Sequence, residues 1–322
     1  MKKRVIKLLQ PLLHRCDLHL LRTKDYDSLC TRETILRELV NTSQQASTPA
    51  KKLQPEFVIF SKDRALQLHG LLCSLFHQVK GDYKLNVLYY ASSEAHREAY
   101  LEVQQAFKDR AAINWVSEQN FREDLIHTLN QVDRPEVCFL VDDIVFTRPI
   151  DLNSLDWSRY SAGIFSLRLG RNISHCYTKD RAMTAPQLSR SSDIDDVLGF
   201  SWQEGTLDWA YPLSVDGHIF PTRDIQVAVS TLNFKAPNTF ERALQILHPL
   251  YSQRKGYCFT HPRLVNIPLN RVQDESDNIS GEITADLLLQ KWQEGEALNI
   301  EALTGIDTKS VHQEITVSFC QR

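Results

Sequence analysis

Two adjacent carboxylates, Asp142 and Asp143, directly follow the apolar run 137–141 and precede a second one, in FLVDDIVFTRPID (139–151). Such a pair suits a hard divalent cation that phosphate oxygens also bind. The plainer alternative is a solvated pair closing a loop. Upstream, Ser61, Lys62, Asp63 and Arg64 separate the apolar run 57–60 from a leucine-rich segment. If that segment is helical, its first amides and Arg64 favour an anion, and Ser61 or Asp63 is placed to cap it. Arg168, Arg171, His175, Lys179 and Arg181 share a polar stretch. That set can hold a diphosphate or an anionic acceptor, or be a solvated charged loop.

These residues need a frame to position them. Phe57, Val58, Ile59 and Phe60 make a short apolar run of the kind that forms a buried parallel strand. Leu66, Leu68, Leu71, Leu72, Leu75 and Phe76 then give a broad apolar helix face. A strand over 85–90, a helix around 94–107, a short strand at 113–116, a helix around 121–130 and a strand at 137–141 continue the alternation. This predicts an α/β fold with a mostly parallel, Rossmann-like sheet flanked by helices. The acidic pair then lies beyond the carboxyl ends of the strands, where open sheets bind ligands. After residue 150 the rhythm changes: 162–169 and 213–221 read as strands around an irregular polar stretch, 170–205, with the composition of a binding insertion. The expected organisation is an N-terminal helical arm and linker (1–50), a central domain (51–272) and a C-terminal helical extension (273–322).

Taken in order, these segments resemble the GT-A glycosyltransferases, and within them glycosyltransferase family 2, over residues 55–245. FVIFSKDRALQLHGLLCSL (57–75) is similar to that family's opening strand, polar turn and leucine-rich helix. The resemblance implies that Ser61, Asp63 and Arg64 lie near a nucleotide donor, with Glu94 at the nucleobase. The Asp142–Asp143 segment is similar to the DxD-type motif, which implies Mn²⁺ or Mg²⁺ held against the donor diphosphate. It reads Val141-Asp142-Asp143-Ile144 and not a strict DxD, which leaves open which carboxylate meets the metal and which the ribose. The stretches 208–225 and 233–244 resemble the strand lining the donor sugar and the acidic helix start that carries the base of an inverting reaction. Glu241, three residues before Leu244, takes the base position, Phe240 replaces the first acidic residue, and Asp208 and Asp216 are alternative bases. His261 or His218 takes the place of the late histidine that closes some GT-A metal shells. Trp202, Trp209 and Tyr211 have faces to stack on a sugar, and equally the bulk to fill a core. The implied activity is metal-dependent, inverting transfer from a UDP- or GDP-sugar to a hydroxyl of a glycan or glycolipid.

Composition narrows the classes further. With 322 residues, 42% hydrophobic and 24% charged, the chain is too apolar for general disorder. A formal charge of −3 gives no basic surface for nucleic acid. Seven scattered cysteines without a CxxC pair fit a reducing compartment, and the expected location is cytoplasmic. In MKKRVIKLLQPLLHR, Lys7, Gln10 and Pro11 interrupt the apolar stretch, unlike a secretory signal. Val5, Leu8, Leu9, Leu12 and Leu13 recur at helical spacing, which fits peripheral contact with the inner membrane face or packing on the protein itself. A sugar nucleotidyltransferase would carry a glycine-rich loop after the first strand, but the first glycine is Gly70, inside the helix. A non-catalytic binding module of the same fold is disfavoured by the intact acidic pair.

Overall fold

Burial explains the first strand: Phe57, Val58 and Ile59 have no exposed surface, and Leu68, Leu71, Leu72 and Leu75 of the next helix have none either. The structure is a computed structural model that describes residues 22–43, 54–110, 113–191, 196–270 and 283–322. The chain forms two compact units, Met1–Ala46 and Ser47–Arg322. In the first, helix α1 (Thr23–Ser43) carries an Arg37–Glu33 pair one turn apart. The apolar set from Val5 to Leu13 and most of the expected linker lie outside the described residues. No helix among the described residues is long and apolar enough to cross a membrane.

In the second unit, β1 (Glu56–Lys62), β2 (Leu85–Tyr90), β3 (Ile113–Ser117) and β4 (Glu136–Val141) alternate with α2 (Ala65–Gln78), α3 (Glu94–Ala106) and α4 (Phe121–Gln131). Ser93 caps α3 and Asn120 caps α4, each accepting a backbone N–H at 3.3 Å. Then follow β5 (Ile164–Ser166), β6 (Ser189–Arg190), β7 (Val197–Ser201), β8 (His218–Pro221), α5 (Thr222–Thr231), α6 (Pro237–Leu244), β9 (Lys255–Phe259) and α7 (Ala285–Gln293). The strands form one nine-stranded sheet in the order β6-β7-β9-β5-β8-β4-β1-β2-β3. Neighbours among β4, β1, β2 and β3 are parallel, as are β5 and β9. Only β7 and β8 run against the rest. The mostly parallel sheet expected from the alternation is present.

One local expectation changes, and two features of the fold add to it. The stretch 170–205 is not uniformly irregular, because it supplies β6 and β7. Residues 222–231 form α5, burying Ile225, Ala228 and Val229 on one face. The last segment packs onto the sheet unit: strand Glu296–Leu298 pairs with Phe319–Gln321, and a Cβ on Gly70 of α2 would come within 2.8 Å of Leu298 Cδ1. Residues 283–322 therefore fall in the same compact unit as the sheet.

Glu136, which starts β4, is 5% exposed and its Oε2 has no partner. Burial pushes its carboxyl up to about 7, so the ionised form is a burden above that pH and none below the ordinary carboxylate range. Glu136→Gln is expected to raise stability at pH 8 by about 1–2 kcal/mol. That gain should shrink to nothing as pH falls toward about 4. Urea melts at both pH values test this; a gain independent of pH would rule out the ionised carboxyl as its source.

Candidate functional site

The sheet topology decides which side chains meet. Phe60, Ser61 and Lys62 close β1, and Asp142 and Asp143 follow β4 at the same edge. Arg168 lies just beyond β5, Tyr90 ends β2, and Glu118 follows β3. Because β8 runs the opposite way, the residues before it, Ser214 to Gly217, reach that edge too. All but Gly217 line one cleft of about 700 Å³, with Glu241 of α6 across from the strand ends. Gly217 adopts φ +77°, which lets Asp216 face the cleft while His218 turns into the core.

At the strand ends the carboxylates are held tightly. Asp142 Oδ2 accepts from Ser61 Oγ at 2.9 Å and from the Lys62 amide at 3.1 Å. Asp143 Oδ1 accepts from Asn266 Nδ2 at 2.8 Å. Between the two acids, Arg64 Nη1 lies 3.0 Å from Asp142 Oδ1 and 3.1 Å from Asp143 Oδ2. Burial raises both carboxyls, Asp143 to about 6, and the Arg64 charge opposes the rise. Tyr100 accepts from the Arg64 amide at 3.1 Å and shares a 2.7 Å hydrogen bond with Ser61 Oγ, which ties α3 to the turn.

Deeper in the cleft, Arg168 is 2% exposed. Its Nη1 lies 3.4 Å from Asp216 Oδ2 and its Nη2 3.7 Å from Asp208 Oδ1. Asp216 Oδ2 also meets His312 Nε2 at 3.1 Å. Burial alone would raise Asp216, but His312 and Arg168 hold it below its ordinary value. Burial alone would lower His312, and Asp216 raises it instead. His312 is fixed from the backbone, since Asn266 N donates to Val311 O and Gln313 N donates to Asn266 O, both at 3.0 Å. Glu241 Oε1 accepts from Tyr211 Oη at 2.9 Å, and Oε2 from Val215 N at 2.9 Å and Ser214 Oγ at 3.2 Å. Burial, with the Asp216 charge, pushes Glu241 up.

Because its folded value is raised, His312 adds stability below its ordinary titration range that is lost as pH rises through the folded value. His312→Ala is therefore expected to cost about 1–2 kcal/mol at pH 6 and less at a pH above the folded value. Denaturant melts at the two pH values decide it; an equal loss at both would show that the charged pair with Asp216 contributes nothing.

Of the residues singled out from sequence, Ser61, Arg64, Asp142, Asp143, Asp208, Asp216 and Glu241 share the cleft, with Lys179 and Tyr211. Others lie elsewhere. Neither Ser61 nor Asp63 caps α2; Asp63, at φ +54°, accepts instead from the Ser92 amide at 2.7 Å. Glu94 is in an exposed pair with Arg97, 3.0 Å from its Nε. His261 is exposed and does not line the cleft, while His218 is fully buried against Pro212 O at 2.9 Å. Trp202 and Trp209 are core residues with no exposed surface. The chain after His261 does reach the site, through Asn266, Pro268 and Asn270. His312 carried no sequence signal.

Hydrogen bonding alone leaves a carboxylate oxygen a second lone pair for a metal, so what stands against an ion here is a cation already in place. Here every oxygen of the Asp142–Asp143 pair accepts from a protein donor, and a guanidinium stands between the two carboxylates. Among the described residues no three His, Cys, Asp or Glu side chains converge as ligands. This arrangement does not fit an ion held by the pair.

No family model matches the chain. It is 27% identical over 293 residues to the bifunctional glycosyltransferase pgtA of Dictyostelium discoideum, covering 79% of this chain and 38% of that protein. The chain is homologous to a glycosyltransferase. It spans well under half the length of this relative. Among solved structures, it is similar to the 1–349 fragment of S. aureus TarS, with TM-score 0.41, 13% identity, and 64% and 58% of the two chains covered. It is also similar to the apo form of WbbM, a bifunctional glycosyltransferase, with TM-score 0.36, 12% identity, and 65% and 39% covered. The alternating sheet and its acidic edge agree with the GT-A-like resemblance read from the motifs.

Proposed function

We propose that this protein transfers a sugar from a nucleotide-diphosphate sugar, a UDP- or GDP-sugar, to a hydroxyl of a glycan or glycolipid acceptor, with inversion. The observation that carries this reading is the convergence of Asp142, Asp143, Asp216 and Glu241 in one cleft at the sheet's ligand-binding edge, in a chain homologous to a glycosyltransferase. Glu241 takes the proton from the acceptor hydroxyl as its oxygen attacks the anomeric carbon. The bond from that carbon to the phosphate oxygen breaks, and the nucleoside diphosphate leaves with the electron pair. Glu241 suits this role better than its two rivals. Asp216 is engaged by Arg168 and His312, and Asp208 faces Arg168. Burial and the Asp216 charge raise the Glu241 carboxyl, which favours proton uptake there. The Mn²⁺ or Mg²⁺ implied by the resemblance has no step in this reading, because the Arg64 guanidinium already stands between the two carboxylates.

A thermal-shift screen of the full chain against UDP- and GDP-sugars tests the assignment. At a hundredfold excess over Kd, a true donor adds about 2.7 kcal/mol and raises Tm by several degrees. No shift with any nucleotide sugar or nucleoside diphosphate would remove the basis for a donor site.

A further inference from the structure

Arg64 stands where the resemblance asks for a metal ion. One guanidinium touches both carboxylates of the acidic pair, and its Nη2 donates to the backbone oxygen of Asn270. Asn270 is fixed in turn, its Oδ1 accepting from Gln67 Nε2 at 2.8 Å. Two donors at this junction are buried without a partner, Arg64 Nε and Asn270 Nδ2. Both residues line the cleft, yet the Arg64 side chain is only 10% exposed and Asn270 only 5%. Buried, unpaired N–H groups are rare because they lose water and gain nothing. A pair of them on two residues already hydrogen-bonded to each other, one a guanidinium, is a donor set suited to a phosphate. Asp142 and Asp143 then act on the guanidinium, fixing its fork in one orientation.

We propose that Arg64 and Asn270 seat a phosphate of the nucleotide donor directly, with Arg64 in the place of a divalent ion, so that nucleotide binding requires no metal. This rests on the glycosyl-transfer reading only for the identity of the ligand as a nucleoside diphosphate.

Calorimetric titration of the full chain with UDP and with GDP, in EDTA and then in Mn²⁺, separates the outcomes. The nucleotide that binds should do so with affinities in the two buffers within about threefold of each other. Arg64→Lys keeps the charge beside the acids but loses the Nε–H, and it should weaken metal-free binding about tenfold or more. Asn270→Asp keeps the shape and the Gln67 contact, replaces the free donor with an acceptor, and should weaken it similarly. Circular dichroism confirms that each variant is folded. Binding abolished by EDTA and restored by Mn²⁺ overturns the inference, as does wild-type metal-free affinity in folded Arg64→Lys. Binding of neither nucleotide in either buffer overturns the glycosyl-transfer reading itself, and the inference with it.

Discussion

Glu241→Gln is expected to lower turnover by about 10²–10⁴-fold while leaving donor affinity within about twofold of wild type. A base acts mainly in the transition state, so its loss falls on kcat and spares ground-state binding. The substitution is structurally mild. The amide oxygen can still accept from Val215 N and Ser214 Oγ, and the amide nitrogen can donate to the Tyr211 oxygen that formerly donated to Glu241. What disappears is the carboxylate that takes up the proton of the acceptor hydroxyl. Asp208→Asn and Asp216→Asn are the controls, since both residues line the same cleft. Near-normal turnover in Glu241→Gln, with Asp208→Asn or Asp216→Asn inactive, would move the base to the other side of Arg168. Activity in all three would remove the case for an inverting reaction with a carboxylate base.

The second large effect falls on stability. Arg168→Met is expected to cost about 3–5 kcal/mol, because it leaves Asp208 and Asp216 buried without the cation they share. Both side chains are 13% exposed, and His312 remains as partner to Asp216 alone. Methionine keeps much of the volume, so the loss reports charge more than packing. Adding Asp216→Asn should recover part of the loss, giving a coupling of at least about 1 kcal/mol in a double-mutant cycle. Equilibrium urea unfolding measures it. A loss under about 1 kcal/mol would mean that water reaches these carboxylates in solution and that the cleft floor is not desolvated.

The parts of the chain legible in the sequence are those with dense apolar signal. β1, β2 and β4 are buried parallel strands and must be nearly continuous runs of apolar residues. Asp142 and Asp143 break such a run at its end, so their position on the ligand edge could be read directly. Among the later strands, β5 and β8 fall within the runs read as strands, but β6 and β7 gave no comparable signal: β7 carries Gly199 and ends in serine, and β6 is a Ser-Arg pair. The α5 segment is rich in β-branched residues, which propensity disfavours in helices, and it forms because burying Ile225, Ala228 and Val229 outweighs that preference. The site residues divide the same way. Glu241 was visible from its spacing to Leu244, although α6 starts at Pro237 and places it in the second turn and not at the helix start. His312, Asn266 and Asn270 are single polar residues, Asn266 at the end of the short strand Leu264–Asn266 and the other two outside any strand or helix, brought in by tertiary folding, and no local spacing marks them. The bridge from Arg64 to both aspartates was invisible for the same reason, since it joins the end of β1 to the end of β4.

The docking of His312 against Asn266 also has a consequence in time. The cleft takes its floor from the first strands and one of its buried partners from a segment made much later. Contacts between such distant parts close slowly, because the intervening loop entropy is lost before the contact returns anything. A chain arrested in synthesis or clipped after Asn270 would hold the acidic edge and Glu241 but leave Asp216 without its imidazole. Ligand affinity then becomes a gauge of maturation: the cleft is complete only once His312 has docked, and a nucleotide that binds the complete cleft would favour the finished chain over one still lacking that contact.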